Sequence, residues 1–389
     1  MSTLKVGIIG IGNVGSSHAQ CIFDGKVEGL TLAAVCDINK DLKPLAAQRL
    51  PGVAFYENHH DLLSSDVDLV IVSVPHPLHT EIAIDAFKCG KHVLVEKPMD
   101  IAASKGRAMM EAAKMSGKTF GIMFNQRTGN LFRKAREIVR GGELGKRKRT
   151  TWIITNWYRT QKYYDSGSWR ATWAGEGGGV LVNQAPHQLD LWQWICGMPE
   201  RITAFCEEGK YHRIEVEDSA TIFARFPDGC EGTFITSTGE FPGTNRLEII
   251  GTKGKLILED GKLKWWKLSQ DEQEFCHTTE DEFGKIPYTY EEFEQEQGVN
   301  GHQAILQNLA NHILHGETLI APGYDGINEL LIQNAAYLSA WTGNVPVSIP
   351  FDEAQYDRLL ARHCADSHMD CSCSNTPGNQ YKERWQIEW

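Results

Sequence analysis

The sequence predicts an α/β protein of two domains: a doubly wound parallel sheet, followed by an α+β domain with a large open, mostly antiparallel sheet. The chain has 389 residues, which is too long for one ordinary core. Predicted strands and helices alternate through residues 1–124, as in a parallel sheet. Between residues 147 and 267, strands joined by short turns dominate. We therefore expect domains at 1–124 and 125–389.

In the first domain, a strand over residues 4–9 runs into the segment Gly10–Gly15, and a helix over 16–23 follows. The next strand, 31–36, ends at Asp37. The remaining predicted strands are 53–56, 69–74, 93–95 and 119–123, and the remaining helices are 40–49, 79–89 and 101–116. The apolar run Val93–Val95 is typical of a strand buried on both faces.

The second domain is predicted from alternating or β-branched segments at residues 150–157, 201–207, 218–226, 232–238, 245–251 and 255–258. Pro227-Asp228-Gly229 lies between two of them and is typical of a tight turn. Helices are expected at 130–140, 300–315 and 325–342, with one more after Pro350. The acidic stretch 270–299 is expected to be a solvated loop or an exposed helix face.

Composition narrows the classes of partner and compartment. The net charge of −11 and the isoelectric point near 5.7 argue against nucleic acid or an anionic membrane as a partner. No apolar run is long enough to cross a bilayer. The ten cysteines are mostly scattered singly, and no secretory leader precedes the first strand. We expect a cytoplasmic protein with reduced thiols.

The segment Gly10-Ile11-Gly12-Asn13-Val14-Gly15 follows a strand and opens a helix, and Asp37 ends the next strand. This context is what a dinucleotide fingerprint requires, because glycines let the backbone approach a pyrophosphate at a helix N-terminus. Asp37 would accept hydrogen bonds from a ribose hydroxyl and repel a 2′-phosphate, which favours NAD over NADP. The alternative is a glycine-rich turn without a ligand.

A second loop closes another strand at the same edge of the sheet and contains Ser73, Pro75, His76 and His79. Its prolines shape a loop that can lie along the dinucleotide. His79 begins a helix, so it either caps that helix or contacts the cofactor.

Glu96, Lys97 and Pro98 directly follow the strand 93–95. Ligands of open α/β sheets bind beyond the carboxyl ends of the strands, so Lys97 lies where chemistry is expected. Pro98 restricts the direction in which the chain leaves the strand. The alternative for Lys97 is an ordinary surface lysine.

The glycine-rich turn, Val74-Pro75 with His79, and the segment Lys91–Pro98 together resemble the Gfo/Idh/MocA family of oxidoreductases over nearly the whole chain. The resemblance implies an N-terminal Rossmann domain and a C-terminal domain with a large open sheet. It also implies a cofactor role for Glu96, a Lys97 that reaches both the nicotinamide and the reacting hydroxyl, and a cis bond between Lys97 and Pro98.

The glycine run 177–179 precedes Asn183 and His187, which would share a helix face at i, i+4. Pro186 either starts a regular helix late or kinks it. His187 suits a general base, since its unperturbed pKa lies near neutral pH. The family commonly has aspartate where this chain has Asn183; an amide orients a hydroxyl but takes no proton. Asp190 is expected to orient packing.

The resemblance also implies that residues near the domain junction and before the glycine run line the pocket. Asn125, Trp169 and Arg170 are assigned to the cofactor side, and Gln126, Arg127 and Tyr158, with Asn183, to the substrate side. For Tyr158 the alternative is a core or interface aromatic. His363, Cys364, His368, Cys371 and Cys373 form a cluster whose spacing matches no standard zinc pattern, so no metal is assigned.

These expectations describe an NAD-dependent dehydrogenase that acts on a secondary ring hydroxyl of a sugar, glycoside or polyol, with Lys97 and His187 as catalytic residues. One alternative is a redox-neutral glycoside-cleaving enzyme that keeps its NAD tightly bound. The other is a non-catalytic NAD-binding regulator. The open sheet suggests a homo-oligomer, either a dimer or a tetramer.

Overall fold

The N-terminal part of the chain folds around a six-stranded parallel sheet. The computed structural model describes residues 3–167, 169–296, 298 and 301–367. The strands are β1 (Leu4–Ile9), β2 (Leu30–Cys36), β3 (Ala54–Tyr56), β4 (Leu69–Val72), β5 (His92–Val95) and β6 (Phe120–Ile122), in the spatial order β3-β2-β1-β4-β5-β6. The helices between them are α1 (Asn13–Phe23), α2 (Lys43–Arg49), α3 (His59–Leu63), α4 (His79–Lys88) and α5 (Ala103–Ser116).

Burial explains why these segments form central strands. All four residues of β4 are buried, as are Val93, Leu94 and Val95 of β5. Strands covered by helices on both faces carry such continuous apolar runs. The strand order reverses beside β1, so the carboxyl ends of β1 and β4 border the crevice where ligands of this fold class bind. The predicted parallel sheet is confirmed.

The second sheet has nine strands. They are β7 (Arg147–Ile154), β8 (Arg201–Glu208), β9 (Glu217–Arg225), β10 (Glu231–Ser237), β11 (Asn245–Gly251), β12 (Gly254–Glu259), β13 (Lys262–Leu268), β14 (Tyr288–Glu294) and β15 (Val347–Ser348). Their order is β14-β13-β12-β11-β7-β10-β9-β8-β15. Neighbours pair antiparallel except β7 and β10, which pair parallel. The predicted open, mostly antiparallel sheet is confirmed.

Eight α-helices follow β6 along the described part of the chain. They are α6 (Asn130–Arg140), α7 (Gln161–Tyr164), α8 (Val180–Asn183), α9 (Pro186–Cys196), α10 (Glu272–Thr278), α11 (Gly301–His315), α12 (Gly326–Trp341) and α13 (Glu353–Ala365). One face of the sheet packs its apolar side chains against α9 and α12, with Trp152, Trp192 and Phe234 in the core. On β8 and β9, Phe205 and Phe223 lie exposed on the other face.

The prediction for the acidic stretch 270–299 is wrong in part, because some of its residues form a strand. Instead of a loop or an exposed helix face throughout, residues 288–294 form β14, the edge strand of the large sheet. Lys262 on β13 forms ion pairs with Glu292 at 2.6 Å and Glu294 at 3.3 Å. The acidic side chains thus face a lysine-bearing strand, and cross-strand pairs of opposite charge stabilise such an edge. Charge composition alone does not reveal that neighbour.

Helix α11, from the last third of the chain, packs into the core of the first sheet. Ile305, Leu306 and Leu309 belong to the same buried cluster as β1, β4 and β5. The first core is therefore not confined to residues 1–124.

Among the described residues, the structure contains no helix with both the length and the apolarity needed to span a membrane. Of the C-terminal cluster, His363 and Cys364 lie on α13, where His363 stacks on Trp341 with ring centroids 4.4 Å apart. His368, Cys371 and Cys373 lie outside the described residues.

Candidate active site

The glycine loop after β1 leaves room for a ligand at the start of α1. Gly10 has φ +87°, and an added Cβ there would lie 2.5 Å from the Ser73 carbonyl oxygen. A Cβ at Gly15 would lie 1.9 Å from the Gly10 carbonyl oxygen. At Gly12, in contrast, a Cβ would meet no described atom within 4 Å, and no side chain of the described chain caps α1. Free amide groups thus face open space, as pyrophosphate binding requires.

Asp37 is attached to this loop. Its carboxylate accepts hydrogen bonds from the backbone N–H groups of Ile11 at 3.0 Å and Asn39 at 2.9 Å. The carboxylate is half-buried and has further lone pairs for a ribose hydroxyl. Asn13 is exposed and Val14 half-buried at the same edge. The chemistry of this donor and acceptor set fits the adenosine half of NAD.

Substitutions at Gly12 and Gly15 should separate cofactor binding from folding. We expect Gly12→Ala to weaken NADH binding by about tenfold or more, because the new methyl group occupies the space in front of the helix N-terminus. Its thermal unfolding should match the wild type. Gly15→Ala should instead destabilise the fold, since its Cβ overlaps the Gly10 backbone. Fluorescence titration with NADH and thermal denaturation measure both; equal NADH affinity in Gly12→Ala would contradict the assignment.

Lys97 leaves the carboxyl end of β5, followed by a cis peptide bond to Pro98, as expected. Its ammonium Nζ donates to the backbone carbonyl of Asn183 at 2.7 Å, which leaves two further N–H groups for other acceptors. Burial lowers the pKa of Lys97, although the nearby Glu96, Glu329 and Glu176 act in the opposite direction.

Glu96 is fixed by a buried histidine that sequence reasoning missed. The carboxylate Oε1 lies 2.7 Å from Nε2 of His18 on α1, and both side chains are largely buried. Burial acts to raise the pKa of Glu96, but the hydrogen bond and charge of His18 lower it overall. His302 of α11 packs against His18, with ring centroids 5.6 Å apart. The signal for His18 was its place on the helix that the glycine loop opens.

His187 is the second residue of α9, which begins at Pro186. Asn183 ends the separate helix α8, so the expected single helix face is wrong, and the alternative of a late start at Pro186 is confirmed. Burial lowers the pKa of His187 well below 6.5, and the charge of Lys97 lowers it further. Lys97 bonds to Asn183, four residues before His187, so the amine lies beside the segment that carries the imidazole. Nδ1 of His187 has no hydrogen-bond partner among the described residues.

Glu176, a buried residue before the glycine run, orients Asn183. Its carboxylate accepts a hydrogen bond from the Asn183 side-chain amide and another from the Ala171 backbone N–H at 2.7 Å. Burial raises the pKa of Glu176. Its backbone carbonyl lies 3.2 Å from Nδ1 of His76, so this residue also contacts the predicted cofactor loop. Sequence reasoning missed Glu176 because no motif includes it.

The glycine run itself is held by Glu217, the buried first residue of β9. Its carboxylate accepts from the backbone N–H groups of Gly179 and Leu181, both at 2.9 Å, and from the Tyr337 hydroxyl at 2.8 Å. Burial raises the pKa of Glu217 to about 7. The segment that carries Asn183 is thus fixed by hydrogen bonds from β9 and α12.

Glu329 of α12 is a further buried carboxyl group near the site. Neither of its oxygens has a hydrogen-bond partner among the described residues. Burial raises its pKa well above the usual range, and Asp190 and Lys97 are the charged groups that act on it. A buried carboxyl group in this environment is held neutral.

Two predicted site residues, His79 and Arg127, are buried in contacts within the protein. His79 is fully buried, and its ring nitrogens lie 2.9 Å from the carbonyl oxygens of Pro98 and Val74. It has no surface to offer a cofactor, so it instead holds the Val74 loop against the turn at Pro98. Arg127 is also buried, and its guanidinium is held by carboxylates of the protein.

Arg127 joins the two parts of the molecule. Its guanidinium donates two hydrogen bonds to Asp190, at 2.8 and 2.6 Å, and one to Asp325 at 2.6 Å. Asp190 lies on α9, directly after the predicted catalytic segment, and Asp325 precedes α12. With its donors used inside the protein, Arg127 orients packing, and Asp190 does so as expected.

We expect Arg127→Leu to lower the free energy of unfolding by about 3–5 kcal/mol, because it leaves the Asp190 carboxylate buried without its partner. The exposed Arg225, replaced by leucine, is the matched control and should change stability by less than about 0.5 kcal/mol. Urea denaturation measures both. A stable Arg127→Leu enzyme with a raised substrate KM would restore the original assignment.

The remaining predicted residues lie in the following places. Asn125 contacts His302, with 3.2 Å between its Nδ2 and the ring Nδ1. Gln126 accepts from the side chain of Gln188 at 2.8 Å. Ser73, Pro75 and His76 follow β4, as predicted, and Trp169, Arg170 and Tyr158 belong to the loops before the glycine run. Among the described residues, no hydrogen bond or ring contact joins Tyr158 to Lys97.

A group able to hold a metal ion lies elsewhere, on α3 and α4. Ligand atoms of His59, His60 and Asp85 all lie within 4.8 Å of one another. Asp85 also forms an ion pair with Lys88 at 3.3 Å. These residues belong to helices at the outer part of the first domain, and the candidate active site does not include them.

A parallel sheet that runs into a glycine-rich turn, with a lysine at the end of β5 held against the segment that carries His187, is typical of an NAD-binding oxidoreductase. Family comparisons agree with this class. Residues 4–124 match the oxidoreductase family with an NAD-binding Rossmann fold, and residues 132–257 match the GFO/IDH/MocA C-terminal domain. The chain belongs to the Gfo/Idh/MocA family of oxidoreductases.

Two characterised relatives cover most of the chain. A myo-inositol 2-dehydrogenase of Thermotoga maritima is 25% identical over 342 residues, 86% of this chain and 95% of the relative. A levoglucosan dehydrogenase of Pseudarthrobacter phenanthrenivorans is 26% identical over 291 residues, 66% of this chain and 74% of the relative. Among solved structures, the WlbA dehydrogenase of Chromobacterium violaceum, in complex with NADH and UDP-GlcNAcA, is 25% identical with a TM-score of 0.78, covering 90% of this chain and 97% of that one.

Proposed function

We propose that this protein is an NAD-dependent dehydrogenase that oxidises a secondary ring hydroxyl of a sugar, glycoside or polyol. The observation that supports the proposal is the hydrogen bond from Lys97 to the backbone of Asn183, four residues before His187. The Lys97 ammonium lies 2.7 Å from the Asn183 carbonyl oxygen, and the pKa of His187 is lowered first by burial and then by the charge of Lys97. The related inositol and levoglucosan dehydrogenases support a hydroxyl-rich substrate.

The chain's own residues would divide the work as follows. Lys97 donates a hydrogen bond to the substrate oxygen and stabilises negative charge as it develops there, an effect that is strongest in a site shielded from water. His187, kept neutral by burial, accepts the hydroxyl proton. Asn183, oriented by Glu176, positions a substrate hydroxyl by hydrogen bonding. When bound, NAD supplies the hydride acceptor.

The test is a panel of inositols, free sugars and glycosides mixed with the enzyme and NAD, followed at the absorbance of reduced nicotinamide. Stoichiometric NADH accumulation with at least one of them is the expected result. If bond cleavage proceeds with no NADH accumulation, the redox-neutral alternative replaces this proposal. If NAD binds but no compound is turned over, the regulator alternative gains support.

We also propose a cytoplasmic homo-oligomer. The eight described cysteines are free, as in a reducing compartment. Phe205 and Phe223 lie on adjacent strands of the uncovered sheet face, where a second copy can pack face to face. Light scattering coupled to size-exclusion chromatography measures the mass; a monomer at micromolar concentration would contradict this part.

A further inference from the structure

Three exposed aromatic side chains lie at one end of the large sheet. Tyr158 is 46% exposed, Tyr211 49% and Phe241 81%. They occur in the connections that follow β7, β8 and β10, whose carboxyl ends share one end of the sheet because β7 and β8 both run parallel to β10. The rings of Tyr158 and Phe241 are in contact, with centroids 5.5 Å apart. We call these three residues the aromatic rim.

The rim stands on a hydrogen-bonded frame. The buried Asp218 accepts from the backbone N–H groups of Lys210, Tyr211 and His212 at 3.1, 2.8 and 2.9 Å. His212 in turn reaches the Arg159 carbonyl, with 2.9 Å from its Nε2 to the oxygen. The Arg159 N–H donates to the Thr238 carbonyl at 3.0 Å, which ties the loop of Tyr158 to the loop of Phe241.

Gly239 allows the Tyr211 ring to pack against the backbone of the loop that carries Phe241. A Cβ at this position would lie 2.2 Å from the Tyr211 ring, so only glycine allows the ring to lie against this backbone. The exposed rings are therefore pre-organised rather than attached to free loops. Exposed apolar groups on a rigid frame are typical of binding surfaces.

Contacts among Arg159, Tyr163 and Arg170 link this frame to the candidate active site. The guanidinium groups of Arg159 and Arg170 both lie over the Tyr163 ring, with their Cζ atoms 5.1 and 4.7 Å from its centroid. The Tyr163 hydroxyl accepts from Arg170 at 2.9 Å and from Gln184 at 3.5 Å. Gln184 follows Asn183, whose carbonyl holds Lys97, so the frame is continuous with the site.

We propose that the aromatic rim is an outer subsite for the sugar unit that lies beyond the reacting ring, so that the preferred substrates are disaccharides or larger glycosides. The proposal rests on the proposed function. Flat aromatic faces match the apolar faces of sugar rings, while tyrosine hydroxyls can bond their hydroxyl groups. The contacts that lead from the rim through Arg159, Tyr163 and Gln184 to the candidate active site favour a saccharide over a second copy of this chain as the occupant.

The experiment compares Tyr211→Ala and Phe241→Ala with the wild type and with Phe283→Ala, an 85% exposed aromatic outside the rim, as control. The paired substrates are glucose with cellobiose and maltose, and galactose with lactose. We expect the rim variants to raise KM for the disaccharides about tenfold and to change KM for the monosaccharides less than twofold. Phe283→Ala should change neither.

Saturation-transfer NMR of the NADH-loaded protein with cellobiose, maltose and lactose tests the subsite without turnover. Binding in the wild type that is lost in Phe241→Ala supports the outer subsite even if no sugar is oxidised, in which case only the proposed function fails. Absence of binding in the wild type, equal losses for mono- and disaccharides, or dissociation of an oligomer by Phe241→Ala in sedimentation would overturn the outer subsite.

Discussion

Lys97→Met is expected to lower kcat by about 10³-fold, because the charge that stabilises the developing oxyanion is lost. Methionine keeps the length and apolar character of the side chain, so the turn at Pro98 should persist. NADH affinity should stay within about threefold of the wild type, as the glycine loop and Asp37 are untouched. Stopped-flow absorbance and NADH fluorescence titration provide the two measurements.

The matched control is Lys88→Met, an exposed lysine of α4 that pairs with Asp85. Its kcat should equal that of the wild type. If Lys97→Met kept more than a tenth of the activity, the amine would be a structural residue, and the mechanism would require another group to polarise the substrate oxygen.

His187→Gln is expected to lower kcat by about 10²–10⁴-fold, since glutamine cannot accept the hydroxyl proton. The exposed His315, replaced by glutamine, serves as the control and should be silent. A variant that alters KM alone would assign His187 to substrate positioning.

The pH dependence of the wild type follows from the environment of His187. Its pKa is lowered, so the imidazole stays neutral and able to accept a proton at pH values where an exposed histidine is already charged. We expect kcat/KM to decline only well below pH 6.5 and this acidic limb to disappear in the residual activity of His187→Gln. A midpoint at or above 6.5 would show that the histidine is not desolvated during catalysis.

Structural features that the local sequence pattern determines were predicted well. Continuous apolar strands such as β4 and β5 indicated a parallel sheet, and the glycine loop indicated where its ligand binds. The edge strand β14 was missed because it forms by pairing with β13, and pairing partners are not visible in an acidic run. The helix break at Pro186 was recognised as one of two alternatives, and packing selected between them.

In the site, residues within motifs were found and residues that support them were not. Lys97 and His187 stand out by spacing, whereas Glu217 and His18 act through contacts between distant segments. Glu176 bonds Asn183 only seven residues away, but it belongs to no motif. Arg127 was assigned to substrate because of its position in the chain. Its three short hydrogen bonds to Asp190 and Asp325, which lie 63 and 198 residues further along the chain, follow only from the fold.

The packing of α11 onto the first sheet limits how this enzyme can be recombined with its relatives. Ile305, Leu306 and Leu309 complete an apolar core, and His302 at the start of the same helix stands beside His18 and lies near Glu96. A chimera that exchanges the chain at residue 124 would bring a foreign α11 against a native sheet. A functional crossover therefore has to transfer residues 301–331 together with the cofactor half, as a discontinuous module.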